Sequence, residues 1–210
     1  LPVGKAVCVG RNYAAHAKEL NNPIPAEPVL FIKPSTALVA IGEQLSIPTR
    51  LGECHIETEI CILIGDKITS DCDRAQAEAA IGGVGVALDL TLRGLQQQLK
   101  DKSLPWEKAK AFDGACPLSE FVSLGKVADL QQLGIKLRQN SHMQQDGNSA
   151  DMLTPVVPLL LYISQFFTLM PGDVVLTGTP AGVGPLAVGD KLEISLVDHV
   201  YCQTQVFAAG

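Results

Sequence analysis

In the stretch Glu53-Cys54-His55-Ile56-Glu57-Thr58-Glu59-Ile60-Cys61-Ile62-Leu63-Ile64, two carboxylates stand one residue apart at the head of an apolar run. Side chains along a β-strand alternate between faces, so an extended reading puts His55, Glu57 and Glu59 on one face. The two glutamates would lie about 7 Å apart there, at a rise of about 3.3 Å per residue. Ile60 to Ile64 holds no polar residue, the pattern of a strand buried on both faces. Carboxylates on such a strand must pair, take up protons or hold a cation. On spacing alone, an edge strand with its polar face in water is the alternative. Oxygen ligands favour a hard cation, Mg²⁺ or Mn²⁺ rather than Zn²⁺, and the pair reads as half of a metal site.

Other residues could complete such a site. Asp89 ends the run Gly82-Gly83-Val84-Gly85-Val86-Ala87-Leu88, a buried strand whose glycines let another backbone approach. An acid at that point is placed to be a third ligand; its plainer role is to cap the helix that follows. The same run is no nucleotide loop, since it lacks the third glycine of G-x-G-x-x-G and any G-K-[ST]. His16 and Glu19, three apart on a helix, are neighbours, and a carboxylate beside an imidazole is the usual way to fix a tautomer and make a base. Adjacent surface charges share that geometry without purpose. Lys108 and Lys110 sit in a charged loop from Leu104 to Gly114 and could both be solvated. Thr177 to Gly184 could form a nest of backbone N–H groups for a carboxylate.

These residues need a scaffold, and the composition supplies one. Of 210 residues, 47% are apolar and 18% charged, the balance of a globular chain with a full core. A net charge of −6 argues against nucleic-acid binding. The longest apolar stretch, Val156 to Phe167, is interrupted by Pro158 and too short to span a bilayer. No secretory signal is legible, and since the chain starts at Leu1 rather than Met, residues ahead of it are to be expected. Six cysteines without a C-x-x-C pair, several within apolar runs, point to buried free thiols and a cytoplasmic setting.

In order, the chain reads as a strand Ala6 to Gly10, then a helix Tyr13 to Leu20 capped by Asn12. A Pro/Asn loop from Asn21 to Pro28 is a candidate lid, followed by a strand Val29 to Lys33 and a short extended piece Leu45 to Pro48. After the acidic strand, Gly65-Asp66-Lys67 makes a hairpin-type turn and Asp73 caps a short helix to Ala80. A helix from Thr91 to Lys100 carries Arg93 and Gln96 one turn apart. Ile135 to Asn140 reads as a strand, Gln144 to Asn148 as a polar turn and Pro155 to Phe167 as a helix. The end is β, with strands Asp173 to Leu176 and Lys191 to Val197.

Taken together, several stretches resemble the fumarylacetoacetate hydrolase family, in its short acylpyruvase and oxaloacetate-decarboxylase branch. They are Val9-Gly10-Arg11-Asn12-Tyr13 with His16 and Glu19, His55-Ile56-Glu57-Thr58-Glu59, Asp89 with Arg93 and Gln96, and Lys110-Ala111-Phe112-Asp113. Met170-Pro171-Gly172-Asp173 and Thr177-Gly178-Thr179-Pro180-Ala181-Gly182-Val183-Gly184 complete a set that runs in the family's order over nearly the whole chain. One departure lies at Gln139-Asn140-Ser141-His142, where the family often has Asn-Gly. The resemblance implies an α+β fold, a mixed β-sheet rolled into a partly open barrel with a few flanking helices, as one domain over residues 1–210. It implies a metal held by Glu57, Glu59 and Asp89, Mg²⁺ with Mn²⁺ tolerated, and a His16–Glu19 dyad on an N-terminal lid over residues 11–28. Lys110 would lie near the charged oxygens of the substrate, and Arg11, Arg93, Gln96 and Thr179 would contact it. Members are commonly homodimers.

The implied chemistry fits the residues. A 2,4-diketo acid or oxaloacetate offers a carboxylate and a neighbouring keto oxygen to an oxygen-liganded cation. Cleavage of C3–C4 leaves a pyruvate enolate, whose oxygen the cation and Lys110 would stabilise. The leading expectation is a metal-dependent hydrolase of acylpyruvates, with decarboxylation of oxaloacetate as a further activity. The alternative is an isomerase or tautomerase of a keto-enol dicarboxylic acid of the 2-hydroxymuconate or oxaloacetate type. A non-catalytic metal- or ligand-binding module stands behind both. A small-molecule keto acid is the expected partner, with neither nucleic acid nor membrane.

Overall fold

Strand Thr58–Ile64 pairs antiparallel with Val174–Leu176 on one side and with Ile81–Leu88 on the other. In this computed structural model, which describes residues 4–19 and 23–209, it is the middle member of a seven-stranded mixed sheet. The order across that sheet is Val29–Lys33, Ala6–Gly10, Val174–Leu176, Thr58–Ile64, Ile81–Leu88, Cys116–Leu118 and Leu38–Ala40. The sheet curls into a half-barrel. A five-stranded sheet packs against it, ordered His142–Asn148, Gly134–Gln139, Lys191–Leu196, Val200–Ala208 and Gln44–Ile47. A small third sheet joins Gly184–Pro185, Cys54–Ile56 and Thr91–Leu92. Among the described residues five α-helices flank the sheets: Ala14–Glu19, Arg74–Ala79, Arg93–Asp101, Glu107–Lys110 and Val156–Ser164. The molecule is α+β with a mixed sheet rolled into a partly open barrel, as the resemblance implied. No helix among the described residues is long and apolar enough to cross a membrane.

The alternation of the middle strand explains the two layers of the core. Ile60, Ile62 and Ile64 point into the larger cluster with Val84, Val86, Leu88, Ile135, Leu137 and Ile194. Each is fully buried, worth about 1.5–3 kcal/mol against exposure. Cys61 points the other way, into a second cluster of small side chains with Ala6, Cys8, Ala87 and Cys116. Glu59, two residues before Cys61, shares that face. Cys8, Cys54, Cys61 and Cys116 are therefore small core residues, and all six cysteines are free. The glycines of Ile81–Leu88 do permit close backbone approach: a Cβ on Gly82 would stand 3.0 Å from the Gly65 Cα.

Several local expectations change. The acidic stretch is not one strand, because it breaks at Glu57 between Cys54–Ile56 and Thr58–Ile64. Asn12 does not cap the first helix; its side chain is buried and cross-links Thr154 and Thr177. Gln144 to Asn148 is not a turn but most of strand His142–Asn148. The turn lies one step earlier, where Asn140 and Ser141 take φ of 51° and 67° in a two-residue hairpin. Asn140 thus tolerates the left-handed backbone that the family's Asn-Gly would supply. The final strand Val200–Ala208 went unread, because the polar run Gln203-Thr204-Gln205 splits its apolar residues into two short pieces. Asp73 does cap the second helix, in a reciprocal box with Gln76. Of the Asn21 to Pro28 loop, residues 20–22 at the helix junction lie outside the described residues.

Burial drives the thiols of Cys8 and Cys61 far up and pushes those of Cys54 and Cys116 up to about 12. In the native protein at pH 8, a colorimetric thiol reagent should label only Cys72 and Cys202, which are partly exposed. All six should react after denaturation; rapid native labelling of four or more would contradict this packing.

Candidate active site

Glu57 occupies the break between two strands, so its side chain is free of the alternation that governs its neighbours. Its carbonyl accepts from Asp89 N–H at 2.8 Å, which binds the end of strand Ile81–Leu88 to the same point. Glu59 follows on the small-residue face of the middle strand. The three acids each bring a carboxylate oxygen within 4.8 Å of the others, and none is more than 5% exposed. Asp89 makes no helix cap; the helix Arg93–Asp101 begins after Leu92 without one.

Three basic side chains meet the three acids. Lys110 Nζ donates to Asp89 Oδ2 at 2.6 Å, to Glu57 Oε2 at 3.1 Å and to Thr91 Oγ1 at 2.7 Å. Arg93 donates to Glu57 Oε1 and, at 2.8 Å, to Gln96 Oε1. Lys33, fully buried, lies 2.7 Å from Asp89 Oδ1 and donates to the backbone carbonyls of Lys110 and Ala115. The four-residue helix Glu107–Lys110 turns Lys110 inward and leaves Lys108 in solvent.

The charges shape one another. Burial pushes the Glu57 carboxyl up, but Lys110, Arg93 and His16 outweigh it and hold it well below the usual carboxylate range. Burial and the neighbouring Asp89 and Glu57 raise Glu59 far above that range, with only the Gly178 N–H at 2.5 Å and Lys110 opposing. Burial would depress Lys110, yet Asp89 and Glu57 keep its ammonium above the ordinary value. Glu59 therefore has no cation paired with it, and Asp89 Oδ1 has an ion contact but no hydrogen bond. An all-oxygen, buried, under-compensated donor set suits a hard divalent cation.

His16 is buried on the opposite wall, on helix Ala14–Glu19, with Nδ1 3.4 Å from Glu19 Oε2. Glu19 Oε1 in turn accepts from the Gly182 N–H at 3.0 Å. The anticipated N–H nest in Thr177 to Gly184 thus holds carboxylates, but they are the chain's own Glu59 and Glu19. Thr179 Oγ1 donates to the Thr58 carbonyl at 2.9 Å and accepts from Gln145. Arg11, His16, Glu57, Glu59, Asp89, Arg93, Gln96, Lys110 and Thr179 all line one chamber. Glu19 reaches it through His16. His55 does not join: the strand break turns it away, to pair with Glu53 at 2.7 Å.

Two residues escaped the sequence reading. Lys33 had a signal, a lysine closing the apolar strand Val29 to Ile32, but nothing in sequence ties it to Asp89. Gln145 was hidden in what read as a turn. Its buried amide accepts from Thr58 N–H at 3.0 Å and donates to Thr179 Oγ1 at 2.8 Å and to the Pro180 carbonyl at 3.0 Å. It clamps the backbone between the two glutamates to the loop that receives Glu19.

A half-barrel with buried acids at its middle strand, faced by a His–Glu pair, defines a class. Residues 5–207 match the model of the fumarylacetoacetate (FAA) hydrolase C-terminal domain, and the chain belongs to the fumarylacetoacetate hydrolase family. It is 50% identical to the oxaloacetate tautomerase YcgM of Escherichia coli (strain K12), over 94% of this chain and 90% of that one. Among solved structures, a fumarylacetoacetate hydrolase family protein from Yersinia pestis CO92 matches with a TM-score of 0.95 and 50% identity, covering 98% and 94% of the two chains. The fumarylpyruvate hydrolase of Pseudomonas aeruginosa, in complex with Mn²⁺ and pyruvate, matches with a TM-score of 0.93 and 33% identity, covering 99% and 91%.

Removing one partner of a buried ion pair leaves an uncompensated charge. Lys33→Met should lower the unfolding free energy by about 3–5 kcal/mol in urea titrations. Lys108→Met should stay within about 0.5 kcal/mol of wild type. Equal stability of the two variants would show that Lys33 does not compensate Asp89.

Proposed function

We propose that this chain is a Mg²⁺-dependent enzyme, with Mn²⁺ also accepted, that interconverts the keto and enol forms of oxaloacetate. The observation that carries this reading is the juxtaposition in one narrow chamber of three buried carboxylates, Lys110 and the His16–Glu19 pair. The 50% identity to an oxaloacetate tautomerase supports it. So does the charge balance. The three acids already face Lys33, Lys110 and Arg93, so a bound divalent cation leaves the chamber positive and calls for an anionic substrate.

The cation, when bound, would be held by Glu57, Glu59 and Asp89 and would supply Lewis acidity to a 2-oxo acid. His16, its Nδ1 held by Glu19, takes the proton from C3 at Nε2. The electron pair of that C–H bond moves into C2–C3, and the C2 carbonyl electrons move onto oxygen. Lys110 retains its proton and stabilises the oxygen by a charge-assisted hydrogen bond that is stronger to the enolate than to the ketone. The imidazolium then returns the proton at O2. Arg93, Gln96 and Thr179 orient the 2-oxo acid head. No third reactant is required.

A second reading, hydrolysis of an acylpyruvate, is favoured by the likeness to a fumarylpyruvate hydrolase. There His16 would deprotonate a water that adds to the distal carbonyl, C3–C4 would break, and pyruvate enolate would leave. Oxaloacetate decarboxylation would reach the same enolate with loss of CO₂. Assaying oxaloacetate, fumarylpyruvate and acetylpyruvate with Mg²⁺, by enol absorbance and by pyruvate release, separates these reactions. Oxaloacetate tautomerisation is expected to exceed pyruvate release from every substrate; faster acylpyruvate cleavage would install the second reading instead.

Glu59→Gln should abolish cation binding by calorimetry while the thermal unfolding profile survives, and full activity in excess EDTA would refute the metal site. His16→Ala should lower the tautomerisation rate by roughly 10²–10⁴-fold. Lys110→Met should lower kcat by about 10²–10³-fold, the cost of one preorganised donor. Unchanged kcat in either variant would remove that residue from the mechanism.

A further inference from the structure

Two basic side chains line the chamber without an anionic partner. Arg11 and Lys100 make no ion pair among the described residues, whereas Arg93, Lys110 and Lys33 all do. Arg11 follows strand Ala6–Gly10 with φ of 62°, a left-handed backbone uncommon for a side chain of this size. Asn12, cross-linked to Thr154 and Thr177, follows it directly and anchors the backbone there. Lys100 comes from the last turn of helix Arg93–Asp101, with its ammonium 5.2 Å from the centroid of the Trp106 ring. Burial depresses that ammonium, and the positive charges of Arg11, Arg93 and Lys110 depress it further, against a smaller upward pull from Glu57. Two cations crowded together in a cleft with no carboxylate paired to either are what an anion site looks like before its ligand arrives.

The helix also provides a ruler. Arg93, Gln96 and Lys100 are spaced three and four apart, so they form one stripe, and all three line the chamber. From Arg93 to Lys100 the axis rises about 10 Å. A four-carbon dicarboxylate with a hydrogen bond of about 3 Å at each end spans about the same length. Its 2-oxo acid head would lie by the acid triad and Arg93, and its tail would arrive between Lys100 and Arg11.

We propose that Arg11 and Lys100 form a subsite for the distal carboxylate of a short 2-oxo dicarboxylate, selecting such acids over analogues with a neutral tail. This rests on the reading of the triad as the place where the 2-oxo acid head is held. Pyruvate and acetylpyruvate leave the subsite unfilled, and a longer dicarboxylate overshoots it.

Malate and lactate test this without turnover, because they share a 2-hydroxy acid head and differ by the distal carboxylate. Their binding to the Mg²⁺-loaded protein is measured by calorimetry at fixed ionic strength. Wild type should prefer malate by about tenfold or more, the worth of one charge-assisted contact. Lys100→Met and Arg11→Met should each bring the malate-to-lactate ratio close to 1, and Lys100→Arg should keep the preference. Matching thermal unfolding curves guard against a folding defect. A wild-type ratio near 1, or variants that weaken both acids alike, would overturn the subsite while leaving the head-group reading intact. Binding of neither acid would overturn both. Loss of oxaloacetate tautomerisation with a normal ratio would strike only the reaction assigned above.

Discussion

The structure depends on the burial of three carboxylates at one point of a half-barrel. Each buried ion costs several kcal/mol after relaxation, recovered only through close partners and further hydrogen bonds. The chain answers with Lys110, Arg93 and Lys33, from a short helix, a longer helix and an edge strand of the large sheet. Elements far apart in sequence are thereby pinned to the middle strand. Compensation is uneven: Glu57 is over-supplied with cations while Glu59 has a single short backbone donor. That asymmetry sets the three acids apart from a structural ion-pair cluster, in which every acid would have been matched.

The loop Thr177 to Gly184 couples that centre to the opposite wall. Gly178 N–H serves Glu59, and Gly182 N–H serves Glu19, which orients His16. Gly182 cannot be replaced cheaply: its φ is 99°, and a Cβ there would fall 1.9 Å from the Gln144 carbonyl oxygen. Strand His142–Asn148 holds the loop from behind, with Gln144 donating to the Gly182 carbonyl and Gln145 clamping Thr58, Thr179 and Pro180. Acid placement and imidazole placement are two outputs of one loop, so the geometry of either limits the other.

What was legible in sequence follows from range. Ile60 to Ile64 announced a doubly buried strand because period and composition are local, and Asp73 with Gln76 announced a cap for the same reason. Glu57 and Glu59 do come together, but not by the strand alternation that suggested it, since the chain breaks at Glu57 and His55 pairs with Glu53 instead. At that break Asp89 N–H bonds the Glu57 carbonyl and Gln145 takes the Thr58 N–H, partners 32 and 87 residues apart in sequence, and no local pattern could display it. Asn12 looked like a cap because caps are what asparagine does locally, but distant carbonyls offered it better bonds. Lys33 and Gln145 were missed on the same ground: their roles exist only after the sheets assemble. The ordered set of family-like motifs carried the long-range information that residue chemistry could not.

One enolate underlies tautomerisation, decarboxylation and acylpyruvate cleavage, so the acid triad and Lys110 cannot by themselves choose among them. Choice falls to whatever meets the far end of the substrate and to what shares the chamber with it. Hydrolysis needs a water beside His16 and room for an acyl group; tautomerisation needs neither. The polar chamber is narrow, whereas a neighbouring apolar cavity of about 430 Å³ opens beyond Phe31 and Trp106, between Leu30, Ile32 and Phe167. Those two rings pack at 6.2 Å and stand on the boundary between the two spaces, with Lys110 Nζ 5.2 Å from the Phe31 centroid and Lys100 over Trp106. Long acyl tails would have to pass that aromatic pair into an apolar space, while a short acidic tail stays on the charged side of it. On the proposed reading the same two rings therefore bound the reaction as well as the substrate: confined to the charged side, the enolate has a proton donor close by and no acyl group to lose.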